Sequence, residues 1–480
     1  MFAQEKDRIN RIKEAVPEVV HRGLVWRRTE TIEWVLFSAF IAGLAWVPYW
    51  YGSNEPIAWG INAVLFPGLA VIYEFFVMVR GEGHSVGLKE IKIPAALFLS
   101  VLFWILVQNA TWTPSFLHHP IWAMTADALG KPVQGSISIN RDLTTLALVR
   151  LITAASVFWI ALQLCRNGSR SIQFIWAIAI IAGAYSAFGL ASFVTAQSVI
   201  TSSRNFVTST FYNHNHFATF AGIGLIAACG LILRIYQNEI TRAGGSLQFN
   251  IALLVEASQK ASALFGLAFL IFVAVLLTGS RGGIVATGLG LAVLGVLTGV
   301  GRVQRFSAVV ALGVIAITAG VFAFGDTFGI MIGQKGLYDD NRLAVHTITL
   351  RSIFDAPVLG YGYGTFTDVF PMIRDRSISV GDVWEQAHNT YLEVFQGLGV
   401  VFGSMLGISV ILIAWRCLVG AFVRRKVGMV SSVATSAALL VGAHALVDFS
   451  LQIQAVTVTF MAVLGAGVAQ SESSRLALND

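Results

Sequence analysis

Charge is what this sequence has least of: Asp, Glu, Lys and Arg make up 12% of its 480 residues, where a soluble domain carries about 25%. With 56% hydrophobic residues and a mean hydropathy of +0.72, the chain needs lipid as part of its solvent. A soluble globular fold is excluded, and an all-α polytopic membrane protein is expected. Cysteine is scarce too. Cys165, Cys229 and Cys417 fall toward the cytoplasmic ends of their spans in the topology below, and an odd three imply no disulfide framework. Also missing are a Walker sequence, a zinc spacing, an Asp-x-Asp in an extramembrane loop and a serine nucleophile elbow. Nucleotide-driven chemistry is therefore unsupported, and neither cofactor nor metal is expected.

Apolar runs are what the sequence has instead. A span needs ~20 mostly apolar residues, and about twelve such runs occur: 31–50, 57–79, 93–112, 143–165, 172–195, 216–233, 264–279, 283–300, 306–324, 398–415, 427–447 and 453–469. The net charge of +6 could suggest nucleic acid, but the basic residues sit in short clusters between these runs, as the positive-inside rule describes. No nucleic-acid partner is expected. Placing the N-terminus inside puts most of the 32 Lys and Arg residues on the cytoplasmic side, including Lys6, Arg8, Arg11, Lys13, Arg22, Arg27 and Arg28 of the basic segment 1–30. That segment is too long and charged for a cleavable signal peptide, so the first span should remain as a signal anchor. Residues 9–25 serve equally as an interfacial amphipathic helix or a solvated tail. Residues 31–200 then hold the N-terminal spans, 201–470 a second transmembrane core and 471–480 a cytoplasmic tail, with both termini cytoplasmic.

The outer connections are unequal. Segments 113–142 and 325–387 dominate, and the second is far longer than a helix-to-helix link requires. Function is expected on this face. Ser280-Arg281-Gly282-Gly283 joins two spans and leaves Arg281 beside the first amides of a helix. Guanidinium and helix N-terminus together suit an anion; the same residues also suit a tight turn whose arginine reaches the interface. Arg204 precedes Asn213-His214-Asn215-His216 at another span start, where Asn213 is first of all a cap. The His-x-His pair diverges on a helix and has no acidic neighbour, which argues against a metal.

In the long loop, Leu343, Val345, Ile348, Leu350 and Ile353 suit a short helix on the membrane surface, ended by Pro357. Gly360, Gly362 and Gly364 form a bend that should pack closely against something; with no strand before it and no helix opening on it, it is not a dinucleotide fingerprint. His388-Asn389 stands where the next span begins. A neutral imidazole there could take a proton from a hydroxyl, as a general base does, or serve as a structural group. Arg150 lies about two turns inside its span, lining a cavity or snorkelling. His444 and Asp448, four apart, read as a pair on one helix near its outer end. Arginines, one base and amphipathic walls suit a lipid-linked diphosphate: the arginines neutralise the leaving group, the base deprotonates an acceptor hydroxyl, and no ATP is needed.

Thr278-Gly-Ser-Arg281-Gly-Gly, Asn213-His-Asn-His-Phe-Ala, Arg342 upstream of Pro357-Val-Leu-Gly-Tyr-Gly-Tyr-Gly-Thr-Phe, and His388-Asn-Thr-Tyr-Leu-Glu-Val-Phe-Gln-Gly-Leu-Gly together resemble the O-antigen ligase and O-antigen polymerase superfamily, over roughly 204–467. His444-Ala-Leu-Val-Asp-Phe-Ser-Leu-Gln-Ile-Gln is similar to a C-terminal signature of exopolysaccharide members, with Gln454 where a proline is expected. The resemblance implies a GT-C-type glycosyltransferase of about twelve transmembrane helices with a large periplasmic loop. It would sit in the bacterial inner membrane and act on the periplasmic face, without metal and with inversion. The donor would be an undecaprenyl-diphosphate-linked glycan and the acceptor a glycan or lipid, with a chain-length regulator or other envelope assembly protein as partner. Carried over, Arg281, Arg342 and Arg204 hold the diphosphate and His388 activates the acceptor; Asn389, Asn213, Arg150, His444 and Asp448 support them. Polymerase is the expected activity, with lipopolysaccharide ligase or protein glycosylation as alternatives within the family. A small-anion transporter is the alternative of another class, and a non-catalytic envelope scaffold a third.

Overall fold

The computed structural model describes residues 31–81, 83–195, 206–242, 251–299, 340–379, 381, 383–423 and 428–471. Among them, every regular element is a helix. The α-helices are α1 (Thr31–Trp46), α2 (Pro56–Arg80), α3 (Lys92–Asn109), α4 (Ile121–Leu129), α5 (Arg141–Leu164), α6 (Gly168–Val194), α7 (His214–Arg242), α8 (Ile251–Lys260), α9 (Ser262–Leu277), α10 (Arg281–Gly299), α11 (Asp340–Asp355), α12 (Phe366–Ile373), α13 (Thr390–Val423), α14 (Met429–His444) and α15 (Gln454–Ser471). Eight of the described helices are long and apolar enough to cross a membrane, and α1, α9 and α14 are shorter apolar ones. The expected run 306–324, the basic segment 1–30 and the tail 472–480 lie outside the described residues.

The spans differ in what covers them, and that sets the architecture. The apolar windows of α7 and α15 are each 83% buried, against 17% for α2 and 22% for the helix that contains α3. A helix apolar all round belongs in a core or against lipid. α7 and α15 are the first kind; α2 and α3, which expose Val64, Phe75, Met78 and Phe103, are the second. The core runs continuously through α1, α5, α6, α7, α9, α10, α14 and α15. Small residues permit the closest crossings, as packing without a water-driven force requires: a Cβ at Gly465 of α15 would lie 2.4 Å from the Phe158 carbonyl of α5. Gln454, standing where a proline was expected, accepts from Asn62 Nδ2 at 2.8 Å and ties α15 to α2.

Helix starts are capped by the residues the sequence offers. Asn140, Asn167, Asn213 and Asn389 each accept backbone N–H groups at the beginnings of α5, α6, α7 and α13, the expected role of Asn there. α13 begins earlier than its apolar run and breaks at Gly399, whose φ of 76° and ψ of 170° are not helical. The freed backbone is paired again by the glycine bend: Tyr361 N–H donates to Gln396 O, Gly362 N–H to Gly397 O, and Val400 N–H to Pro357 O. Gln108 of α3 adds donors to Leu359 O and Gly397 O. Irregular backbone among spans is tolerated only when repaired in this way. The bend packs closely, as its composition suggests. One correction follows from it: a short helix, α12, opens at Phe366 just beyond Gly364, although no helix was expected to open on this bend.

Candidate active site

The turn between α14 and α15 is the keystone of the site. α14 ends at His444, and Ala445–Phe449 runs through turns into a short 3-10 helix, Ser450–Gln452. His444 and Asp448 are therefore not partners on one helix, contrary to their four-residue spacing. The chain leaves α14 at Ala445, and each side chain finds its partner on another element.

Asp448 is completely buried. Its Oδ1 accepts from Asn215 Nδ2 at 3.2 Å, and its Oδ2 accepts from the Ser450 hydroxyl. His216 Nε2 lies 3.6 Å from Oδ2, and His388 Nδ1 3.8 Å from Oδ1. Burial alone would raise the Asp448 pKa, but His216, His388, His444 and the Ser450 hydroxyl outweigh it and hold the carboxyl below the ordinary range. Phe449 stands between the two imidazoles, edge-on to His216 at 4.5 Å and to His388 at 4.8 Å. His444 Nδ1 meets Thr219 Oγ1 at 2.6 Å, and Thr219 reaches Ser450 Oγ at 2.9 Å.

His388 occupies a left-handed conformation, φ 53°, which costs a non-glycine residue about 1–2 kcal/mol. Its neighbours hold it there. Ala387 N–H donates to Glu393 Oε1 at 2.6 Å, Thr390 N–H to Ala445 O at 3.0 Å, and Asn389 Nδ2 to Leu446 O at 2.9 Å. Trp384 packs edge-on against the imidazole at 5.5 Å. His346 of α11 lies against the Ala387–His388 backbone, and burial, aided by Arg342, lowers its pKa and favours a neutral ring.

The arginines approach from the side of α10 and α11. Ser280 Oγ accepts from Gly283 N–H at 3.1 Å and caps α10, of which Arg281 is the first residue. A Cβ on the adjacent Gly282 would come within 3.0 Å of the His444 ring, so this helix start rests directly on the end of α14. Arg342 Nη1 donates to Val447 O at 3.4 Å. Arg342, His388, Asn389, His444 and Asp448 thus converge on residues 444–450, the start of α10 that bears Arg281 rests on the same segment through Gly282, and Asn213 caps the helix whose Asn215 and His216 reach Asp448. Arg204 lies outside the described residues. No group of three or more His, Cys, Asp or Glu placed to hold a metal occurs among the described residues.

Arg150 belongs to a second polar cluster behind the same turn. Its guanidinium donates to Gln452 O and lies over the Trp59 ring at 4.5 Å from the centroid. Gln452 Nε2 donates to Glu393 Oε2 at 3.0 Å, and Gln452 Oε1 accepts from Thr390 Oγ1 at 2.9 Å. This cluster tops a cavity of about 900 Å³ between α3, α5 and α13 that runs from Tyr363 and Thr365 to Leu88 and Ile91. Among its described lining residues Arg150 and Glu393 are the only Arg, Lys, Asp or Glu side chains. Arg150 lines a cavity, one of the two positions its place in the sequence allowed. His216, Glu393, Ser450 and Gln452 lie within the quoted motifs without a role assigned to them there, and Thr219 and His346 lie outside those motifs; His216, expected to have no acidic neighbour, meets Asp448 through the fold. Glu393 carried a signal, a carboxylate close to an apolar run, hidden because α13 starts ahead of that run.

Residues 266–405 match the model of the family described as O-antigen ligase. The match covers well under half of the chain, from within α9 into α13, and contains Arg281, Arg342 and His388; it supports the O-antigen ligase and polymerase superfamily. His444 and Asp448 lie beyond it and join the site through tertiary contact. No curated protein matches the chain.

Proposed function

We propose that this chain is a membrane glycosyltransferase that lengthens a glycan carried on a polyprenyl diphosphate, acting on the outer face of the bacterial inner membrane. The family match supports an O-antigen ligase or polymerase type of function in general. The observation that carries the particular reading is the convergence of Arg342, His388 and Asp448 on one turn, with the helix start that bears Arg281 packed against it through Gly282, although they lie on four separate stretches of sequence.

Asp448, anionic and buried, orients the His388 imidazole and stabilises its protonated form, as a carboxylate does behind a general base. His388 takes the proton of an acceptor hydroxyl as that oxygen attacks the sugar C1 of the donor. The bond from C1 to the diphosphate oxygen breaks, with inversion at C1. The electron pair leaves with the diphosphate, whose charge Arg281 and Arg342 neutralise. No step calls for a metal. The polyprenyl chain takes the apolar cavity below Arg150, whose walls of Phe98, Leu102 and Ile411 suit hydrocarbon. That lining also argues against a small-anion transporter, which would need polar groups along the cavity.

The polymerase form rests on the C-terminal segment 444–454; transfer to lipid A core or to protein uses the same groups with another acceptor. Purified protein, reconstituted with a polyprenyl-diphosphate-linked repeat as its sole glycan, decides. Lengthening of the saccharide, read by gel or mass, is the expected result. No lengthening with a second repeat, followed by transfer once a different lipid acceptor is added, would overturn the polymerase reading in favour of ligase.

A further inference from the structure

The turn between α1 and α2 is built with more constraint than a connection needs. Tyr51, Gly52 and Ser53 all have left-handed backbone, φ 51°, 67° and 53°, and a bulky side chain such as Tyr51 rarely adopts it. Facing this turn, Ser209 is left-handed too, φ 53°. Buried polar braces hold both. Ser53 Oγ donates to Val47 O at 2.6 Å, and Asn62 Nδ2 to Ser53 Oγ at 3.1 Å. Ser209 Oγ donates to Tyr185 O at 2.7 Å, and Thr210 Oγ1 to Pro48 O at 2.5 Å.

The product of this bracing is a fixed aromatic surface. Tyr51 and Tyr212 stack with centroids 4.4 Å apart and planes 2° from parallel. The Tyr212 hydroxyl donates to Glu55 Oε1 at 2.7 Å, and 44% of Tyr212 is exposed. The surface borders the site by two routes. Tyr212 is three residues from Asn215, which donates to Asp448, and three residues reach at most roughly 11 Å. Gly52 O accepts from Ala455 N–H at 3.0 Å, just past Gln452.

We propose that Tyr51, Tyr212 and Glu55 form a saccharide-binding shelf beside the transfer site, holding a sugar of the glycan that is being passed or extended; the shelf rests on the glycosyltransferase reading. A pyranose presents one face of C–H bonds, weakly positive, and a rim of hydroxyls. An aromatic ring offers a negative face to the first, and a carboxylate accepts from the second. Tyr and Trp at span ends are also ordinary interface anchors, which accounts for Tyr49 and Trp50 nearby. An anchor needs neither left-handed backbone nor a partner ring in register nor a carboxylate on its hydroxyl, and the shelf has all three.

The test uses the full chain in nanodiscs with two readouts. The repeat-unit saccharide, freed from its lipid by mild acid, is titrated in, and saturation-transfer NMR reports protein-to-sugar contact. KM and kcat are then measured with the lipid-linked donor. Tyr212→Ala and Tyr51→Ala should weaken saccharide binding roughly three- to tenfold and raise KM alike, with kcat within about twofold. Tyr212→Phe should keep the ring contact. Should an alanine variant fail to fold, Tyr51→Leu keeps the bulk while removing the aromatic face, and it should lose binding as well. Unchanged titration and KM in variants that still transfer glycan would overturn the shelf and leave the transferase reading intact. Binding that is lost in the variants of a protein that never transfers would keep the shelf and remove that reading. Neither binding nor transfer in the wild type would overturn both.

Discussion

His388 Nδ1 stands 3.8 Å from the buried Oδ1 of Asp448, with the Phe449 ring edge-on to the imidazole. The gap is longer than a hydrogen bond, as base-to-orienter contacts often are before substrate draws them together. Asp448→Asn should therefore lower kcat by about 10²–10⁴ while leaving KM nearly unchanged. Steady-state kinetics of the reconstituted protein checks this. A variant losing only KM would place Asp448 in binding instead.

Arg281→Ala and Arg342→Ala should each reduce transfer by about 10²–10³, the cost of removing one group that stabilises developing charge. Neither should disturb the fold. Ser280 still caps α10 through its own hydroxyl, which neither substitution touches. Activity assays beside a thermal melt in detergent separate the two effects. Arg342→Lys should recover little, because a point charge does not reproduce a guanidinium fork.

These residues were unequally legible. Arg281, Asn213 and His388 announce themselves at span starts, where a polar residue against an apolar run has few purposes. Arg342 and His444 also stood out, but the four-residue spacing of His444 and Asp448 implied a helical pair. The helix ends between them, so Asp448 turns to His216 and His388 while His444 turns to Thr219. Most of the spans were visible as apolar runs. The break in α13 was not, because Gly399 needs its partner strip 357–362 to repair the backbone, and that pairing is a property of the folded chain. Tyr51 and Tyr212, far apart in sequence, could not be seen to stack.

Glu393 acts at one remove from the chemistry, holding the Ala387 N–H with one oxygen and Gln452 Nε2 with the other. It thereby fixes the left-handed His388 turn against the segment bearing Asp448. Glu393→Gln should keep part of this bracing and Glu393→Ala none of it. Expected losses in kcat are about tenfold and about a hundredfold, with the His388 turn losing hydrogen-exchange protection in the same order. Equal activity of the two variants would show that the brace does not set His388.

The depressed pKa of Asp448 also makes a statement about stability and its sign. The unfolded carboxyl titrates near 3.9, and the folded one lies below that because His216, His388, His444 and the Ser450 hydroxyl outweigh the cost of its burial. The folded state therefore binds the proton less readily than the unfolded state. The stabilisation is fully present above about pH 4 and is lost as pH falls through the folded value. Asp448→Asn, which cannot ionise, should be less stable than the wild type at pH 7, and the difference should shrink as the buffer is taken below about pH 4. Paired thermal melts across this range provide the check. A gap that stayed constant into acid would mean that the carboxylate charge contributes nothing to the stability of the turn.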